Sequence, residues 1–341
     1  MSSVATANND RIAAVVTPEP VSDFAAVVAA ACPGFVAGEA IGPARKSELL
    51  AGRIGDRAVV AKRLKKPNAV WEWYLDHEVA VYRAFAVHPS GVRTPGLVYP
   101  SVVPPAVAAR STATSVAAKQ VGITAPADEL LVIDRLAGEA VAKLRRPNAA
   151  LPIRVIAALI AVHDQLARYA PKVPFAVTPP RVRAQMRERL LEDPSDPLWI
   201  RDGVRLCGKR NLLEEDLSRR IDQALAAYPA TSFNHGDLLL RNAIADPDDE
   251  EDVALVDWEC AGVHLRDWDL ALLWTQLAGP ARTIVEDAVR DSGLRWRAFL
   301  GMVAFAFARE LKFLDAYPHN EVARAAVTSE LAIVAGRFAE A

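Results

Sequence analysis

The sequence predicts an α+β fold in two lobes, a small antiparallel sheet followed by a mainly helical lobe. Three observations carry this. Short apolar segments separated by turn residues crowd the stretch from Phe35 to Leu64. Apolar spacing of three and four residues dominates after Gly138. One strand, loop and hairpin, running from His235 to Asp257, interrupts the helical half. The chain has 341 residues, 52% of them apolar, enough for one two-lobed unit or two ordinary domains with a sizeable core.

In chain order, residues 1–20 read as a flexible tail, and Val21 to Cys32 has helical character. Phe35 to Gly38, Ser47 to Gly52 and Arg57 to Leu64 read as strands of a meander, with Gly55-Asp56 as a turn. Trp71, Tyr74, Leu75, Val79, Tyr82 and Phe85 recur at helical steps, predicting a helix over 69–85. Gly96 to Tyr99 and Leu130 to Ile133 are two further strands. The Ala, Ser, Thr and Pro-rich run between them, 100–128, reads as a long surface loop. Asp134 to Gly138 leaves the last strand, so a nucleotide lobe of 21–134 and a helical lobe of 135–341 are expected. Within the second, Leu151 to Tyr169 is amphipathic through Val155, Leu159, Val162 and Leu166. Pro179 to Glu192, Asn211 to Ala227, Arg266 to Leu277, Ala281 to Ser292, Leu294 to Ala316 and Asn320 to Phe338 are the other predicted helices. Asp246 to Asp252 is an acidic hairpin tip, and no internal repeat stands out.

The net charge is −2 and the isoelectric point near 6.3, which gives no reason to expect a nucleic-acid partner. Cys32, Cys207 and Cys260 are odd in number and widely spaced, so neither a disulfide framework nor a metal-binding spacing is expected. A reducing cytoplasm is. The first ten residues lack a cationic start followed by an apolar run, and apolar stretches break before spanning length, so no signal peptide and no membrane partner are expected.

The chemistry-bearing line is His235-Gly236-Asp237-Leu238-Leu239-Leu240-Arg241-Asn242, followed by Val256-Asp257-Trp258-Glu259. It sets a base, a neutral oxygen ligand and a second carboxylate at fixed separations, the groups that phosphoryl transfer requires. With this line the chain resembles the aminoglycoside phosphotransferase and choline kinase group of small-molecule kinases. His-Gly-Asp in place of His-Arg-Asp favours that group over protein kinases. The resemblance extends over about residues 35–338, is most specific at 235–271, and implies a protein-kinase-like fold. It also implies a cytoplasmic enzyme that uses Mg²⁺ and ATP or GTP on a hydroxylated small molecule. Leu239-Leu240-Arg241 departs from the small residues the family often has at this end of the loop.

Asp237 is the expected catalytic carboxylate, able to orient a hydroxyl and take its proton late in transfer; an isolated Asp would more often cap a turn. Asn242 and Asp257 are the expected Mg²⁺ ligands, since Mg²⁺ takes few protein oxygens besides phosphate and water. His235 is read as structural, fixing the loop, and Asp269, in Asp267-Trp268-Asp269-Leu270-Ala271, as its support. Arg241 is either a phosphate or substrate contact or a surface arginine. Lys62, after Val59-Val60-Ala61, resembles the kinase strand lysine that neutralises the α- and β-phosphates; a solvated basic edge is the alternative. Glu78 is its expected partner, with Glu72 second. The stretch Gly38 to Ser47 occupies the place of the phosphate-covering loop without spelling Gly-x-Gly-x-x-Gly, and Pro43 removes a donor. Ser47 and the backbone around Arg45 and Lys46 are the expected contacts there. Ile133 to Leu136 would be the hinge, Ile133 and Leu136 flanking the nucleotide base. No Gly-x-x-x-x-Gly-Lys-Ser/Thr is present, which excludes a P-loop reading.

For the acceptor, the resemblance implies an antibiotic of the aminoglycoside type, hence a resistance role, or a metabolite such as choline, homoserine or a sugar. A polycation calls for carboxylates, and Asp267, Glu259, Glu310 and Asp315 are the candidates. Helix capping explains Asp267 and Glu259 equally. Trp258, Trp268, Trp274 and Trp296 offer flat walls to a sugar or, more commonly, core packing. Protein-kinase activity is disfavoured by the absence of Asp-Phe-Gly and Ala-Pro-Glu. A nucleotide-binding pseudokinase would lack one of Asp237, Asn242, Asp257 or Lys62, and all are present. Oligomeric state is open.

Overall fold

The structure, a computed structural model, describes residues 21–42, 46–100, 130–144, 151–172, 175–246, 248–249, 251–315 and 320–341. The expectations for residues 1–20 and for the loop beyond residue 100 lie outside the described residues.

Helix α1 (Val21–Ala31) leads into strands β1 (Phe35–Ala40), β2 (Ser47–Ile54) and β3 (Arg57–Leu64). Helix α2 (Ala69–Val87) follows, capped by the Asn68 side chain, which accepts from the N–H groups of Val70 and Trp71. Strands β4 (Leu97–Tyr99) and β5 (Leu130–Asp134) complete one antiparallel sheet in the order β1-β2-β3-β5-β4. Alternation gives the sheet two faces. Leu50, Val59, Ala61, Leu130 and Val132 pack with Phe24, Val27 and Val28 of α1. Leu64 and Leu131 join the core that contains Leu75, Val79, Tyr82 and Phe85 of α2. Lys62 lies opposite Leu49 and Leu131 in register, so it shares the α2-facing side.

The second lobe begins with β6 (Glu139–Ala140), α3 (Val141–Leu144), α4 (Ile153–Ala167), α5 (Pro180–Arg189), α6 (Trp199–Lys209) and α7 (Glu215–Ala227). Four short strands come next: β7 (Thr231–Asn234), β8 (Ala243–Ala245), β9 (Val253–Leu255) and β10 (Gly262–Leu265). The lobe closes with α8 (Trp268–Thr275), α9 (Pro280–Val289), α10 (Gly293–Leu314) and α11 (Glu321–Glu340). Helix α10 is apolar nearly all round from Ala298 to Ala308 and runs through the core, as such helices must. Trp258, Trp268 and Trp274 are fully buried core residues, and half-buried Trp296 stacks on Phe299. Trp258, Trp268 and Trp274 thus offer no wall to an open sugar site, whereas Trp296 lines a surface hollow with Arg290 and Arg337.

Several helix ends differ from the periodicity, and two of them have a clear local reason. Helix α5 stops at Arg189 instead of Glu192 because Leu190 takes a left-handed cap, and α7 starts at Glu215 instead of Asn211 because Asn211 is left-handed at φ 57°. Helix α6 is absent from the sequence reading because Gly203 and Gly208 look like breakers. Both are contact points: a Cβ at Gly203 would meet the Phe305 ring at 2.4 Å, and one at Gly208 the Ser218 hydroxyl at 2.6 Å.

Candidate active site

Two small antiparallel pairings shape the site. Strand β7 pairs with β10, and β8 with β9, so the segment between β7 and β8 returns beside the segment between β9 and β10. The first carries His235 to Asn242, the second Asp257 and Glu259. The Val256 N–H donates to the Asn242 carbonyl at 2.9 Å, locking them together. Gly236 sits at φ +83°, and a Cβ there would lie 2.0 Å from the carbonyl oxygen of Cys260. Only glycine permits that approach. Asp257 itself is left-handed at φ 66°, ψ 59°, a conformation non-glycine residues hold only where the surroundings impose it.

Helix α8 holds the loop from below. Asp269 accepts N–H groups from His235 at 2.7 Å and Gly236 at 2.9 Å, and the Trp268 indole donates to the Gly236 carbonyl at 3.0 Å. Gln276 accepts from the Leu240 N–H at 2.9 Å. Burial pushes Asp269 up to about 7 against those backbone donors. His235 is buried and donates from Nε2 to the Val256 carbonyl at 2.9 Å, while its Nδ1 accepts the Asp237 N–H at 3.3 Å. Burial lowers its pKa, so the ring is neutral and has both nitrogens engaged in the loop.

Asp237 lines the rim. Its Oδ2 accepts from the Asn242 amide at 2.9 Å and from Arg241 at 3.3 Å. The Asn242 amide nitrogen also reaches the Asp237 carbonyl at 2.9 Å, which leaves the amide oxygen as the ligand atom. Behind Asp237, buried Arg309 pairs with Glu192 and lies among the rings of Trp199, Trp268 and Phe313.

Across the cleft, the Lys62 ammonium contacts Glu78 at 2.7 Å, Asp257 at 2.6 Å and Glu259 at 3.4 Å. Burial alone would lower its pKa, but the Asp257 and Glu78 carboxylates outweigh burial and raise it. Burial works against the Asp257 carboxylate too, yet Lys62 and then Lys46 hold it well below the usual range. Glu78 ends above its usual range because burial outweighs Lys62. Oxygens of Glu78, Asp257 and Glu259 lie within 4.8 Å of one another, and the Lys62 ammonium contacts all three.

The structure therefore brings Asp237, Asn242, Asp257, Lys62 and Glu78 to one cleft, with His235 and Asp269 supporting them. Ser47 is buried at the start of β2, and Ile133 and Leu136, both half-buried, lie at the exit from the sheet. The acceptor candidates lie in three different settings. Asp267 is fully buried and held by Arg295 through two 2.8–2.9 Å contacts, so it has no face toward a ligand. Glu259 is buried with Lys46 and Lys62 on the phosphate side of the cleft. Glu310 is exposed on α10, the residue after buried Arg309, and so points away from the core. Sequence reasoning missed Gln276, the Arg309–Glu192 pair and the Lys46 side chain. Gln276 stands seven residues after Asp269, two helical turns on, a spacing that places both under the loop.

A model of the phosphotransferase enzyme family matches residues 51–306. An uncharacterized protein of Deinococcus radiodurans is 34% identical over 132 residues, 38% of this chain; the match spans 35% of that relative's length. A choline/ethanolamine kinase family protein from Mesorhizobium loti superposes with a TM-score of 0.55 at 18% identity, covering 92% of this chain and 94% of that one. A thermostable mutant of aminoglycoside phosphotransferase APH(4)-Ia, in ternary complex with ADP and hygromycin B, gives 0.51 at 14% identity, covering 93% and 98%. At these identities the likeness to the solved structures is one of fold.

Proposed function

This chain belongs to the phosphotransferase enzyme family, and on that premise we propose that it transfers the terminal phosphoryl group of ATP or GTP to a hydroxyl of a small molecule. The observation that supports the reading is that the Val256–Asn242 bond fastens the segment holding the Asp237–Asn242 pair to the segment whose Asp257 pairs with Lys62, itself paired with Glu78. Lys62 binds phosphate oxygens and is positioned by Glu78. Asn242 and Asp257 would hold Mg²⁺, which when bound offsets phosphate charge. Asp237 orients the acceptor hydroxyl and takes its proton at Oδ1, the oxygen that Asn242 and Arg241 leave free among the described residues. Ser47 would meet phosphate, and Ile133 and Leu136 would flank the base. Asp269 and His235 keep the loop in shape.

For the acceptor, the family suggests an antibiotic of the aminoglycoside type. A second reading, a metabolite hydroxyl carrying little positive charge, is favoured by one observation. Most carboxylates that would serve a polycation are already paired, Asp267 with Arg295, Asp315 with Arg324, Glu192 with Arg309 and Asp193 with Arg183, which leaves exposed Glu310 of the named candidates. No helix among the described residues is long and apolar enough to cross a membrane, and Cys32, Cys207 and Cys260 are free and buried, which supports a cytoplasmic setting. The test is incubation of the purified protein with Mg²⁺, each nucleotide and a panel of aminoglycosides, sugars and amino alcohols, reading product mass. One added phosphoryl group identifies the acceptor. Absence of both transfer and a nucleotide-induced rise in Tm would sink the reading.

A further inference from the structure

We propose that Lys46 is a second phosphate-binding cation, parked on Glu259 while the cleft is free of nucleotide, and that it selects the triphosphate over the diphosphate. This rests on the phosphotransferase reading above. The segment from Gly38 to Ser47 lacks the glycine-rich pattern, and Pro43 has no N–H to offer. A phosphate site built there has fewer backbone donors and needs charge from a side chain.

Lys46 supplies it. Its ammonium reaches across the cleft to Oε1 of Glu259, while Lys62 contacts Oε2 of the same carboxylate at 3.4 Å. The two ammoniums thus share one carboxylate. The Lys46 ammonium also lies 5.1 Å from the Trp71 ring centre and 5.5 Å from that of Tyr74, so aromatic faces guide it. Glu259 is followed by Cys260, whose carbonyl packs on Gly236 beside Asp237. Cys260 also lies within reach of the charges of both Lys46 and Asp237, which sets Lys46 toward the Asp237 end of the site. A phosphoryl group in transfer must lie next to Asp237, so Lys46 addresses the terminal phosphate and Lys62 the inner ones.

A second observation points to a ligand at the same place. Ser47 is 2% exposed, and its Oγ has no hydrogen-bond partner among the described residues. Strand register puts Ser47 opposite Leu64 and Leu49 opposite Lys62, so Ser47 shares the sheet face that carries Lys62. A buried hydroxyl without a partner is costly unless something fills the role in the working state. A phosphate oxygen does. When phosphate enters, each ammonium exchanges a carboxylate oxygen for a phosphate oxygen, and the Ser47 hydroxyl gains an acceptor.

The experiment compares affinities of a non-hydrolysable ATP analogue and of ADP for wild type, Lys46→Met, Lys46→Arg and Lys62→Met, all with Mg²⁺. The expected result is that Lys46→Met weakens the triphosphate analogue about tenfold or more and ADP less than about threefold, the scale of one charge-assisted hydrogen bond. Lys46→Arg restores most of the difference, and Lys62→Met weakens both ligands. Equal weakening of the two by Lys46→Met would mean that Lys46 only docks the loop, and no change would mean that it does not meet phosphate; either overturns the inference alone. A wild type that binds neither nucleotide overturns the phosphotransferase reading and the inference with it.

Discussion

Replacing Gly236 by Ala should be among the most damaging single-methyl changes in this chain. The backbone there is at φ +83°, and the new Cβ would fall 2.0 Å from the Cys260 oxygen and 2.7 Å from its carbon. The left-handed backbone alone costs about 1–2 kcal/mol for an L-residue. The contact cannot persist, so the loop must retreat by roughly 1 Å to reach ordinary separations. That retreat pulls against the Asp269 bonds, now 2.7 and 2.9 Å, and each backbone N–H left buried without an acceptor costs about 1–3 kcal/mol. A total loss of about 4 kcal/mol follows, near the upper end for single substitutions. Gly55→Ala is the matched control: φ is +59° there and nothing lies within 4 Å of the added atom. It should lose only about 1 kcal/mol. Urea midpoints for both variants give the difference, and turnover gives a second readout, since a shift of about 1 Å at Asp237 should cost roughly 10²-fold. Equal losses in the two variants would refute the steric reasoning at Gly236.

Asp237→Asn should lower turnover by at least about 10²-fold while nucleotide affinity stays near wild type, because only the proton acceptor changes; near-native turnover would remove Asp237 from the mechanism. Asp257→Ala should abolish the Mg²⁺-dependent part of nucleotide binding, measured by titration with and without EDTA, and an unchanged difference would exclude Asp257 as a ligand. His163 is fully buried, and its pKa is pushed from 6.5 down to about 4, chiefly by desolvation. The folded value lies below the unfolded one, so the stabilising effect is complete above pH 6.5 and is lost as pH falls toward 4. Between pH 7 and 5 this amounts to about 2 kcal/mol. Asp269, pushed up to about 7, acts in the opposite sense, so the measurement is the pH slope of stability in wild type against His163→Leu. A slope that His163→Leu does not flatten would contradict the assignment.

What could be read from sequence was what sits close together along the chain. Asp237 and Asn242 are five residues apart and meet through one hydrogen bond, so their spacing is their geometry. Lys62 was legible from the apolar run before it, and Glu78 from Glu-x-x-x-Tyr-Arg-Ala-Phe, which resembles the family's helix. The Lys46–Glu259 contact joins residues 213 positions apart, and nothing local marks either end. Asp267 misled because a carboxylate before a helix looks available, whereas Arg295 on α10, 28 residues further on, encloses it. Strand β10 is only four residues long and reads as coil until β7 is there to pair with it. Helix α6 was hidden because glycine signals flexibility in isolation and close packing in context.

Helix α2 is fastened to the far side of the cleft along its length. His77 donates to the Ala261 carbonyl at 2.6 Å, and two turns later Phe85 meets Trp258 edge-on at 4.8 Å between ring centres. Glu78 therefore keeps station relative to Asp257 whatever the strands do. Swinging this helix outward, a common way of idling related architectures, would tear open an aromatic core. The sheet rests on the same helix through Leu64 and Leu131, so Lys62 and Glu78 shift together or not at all.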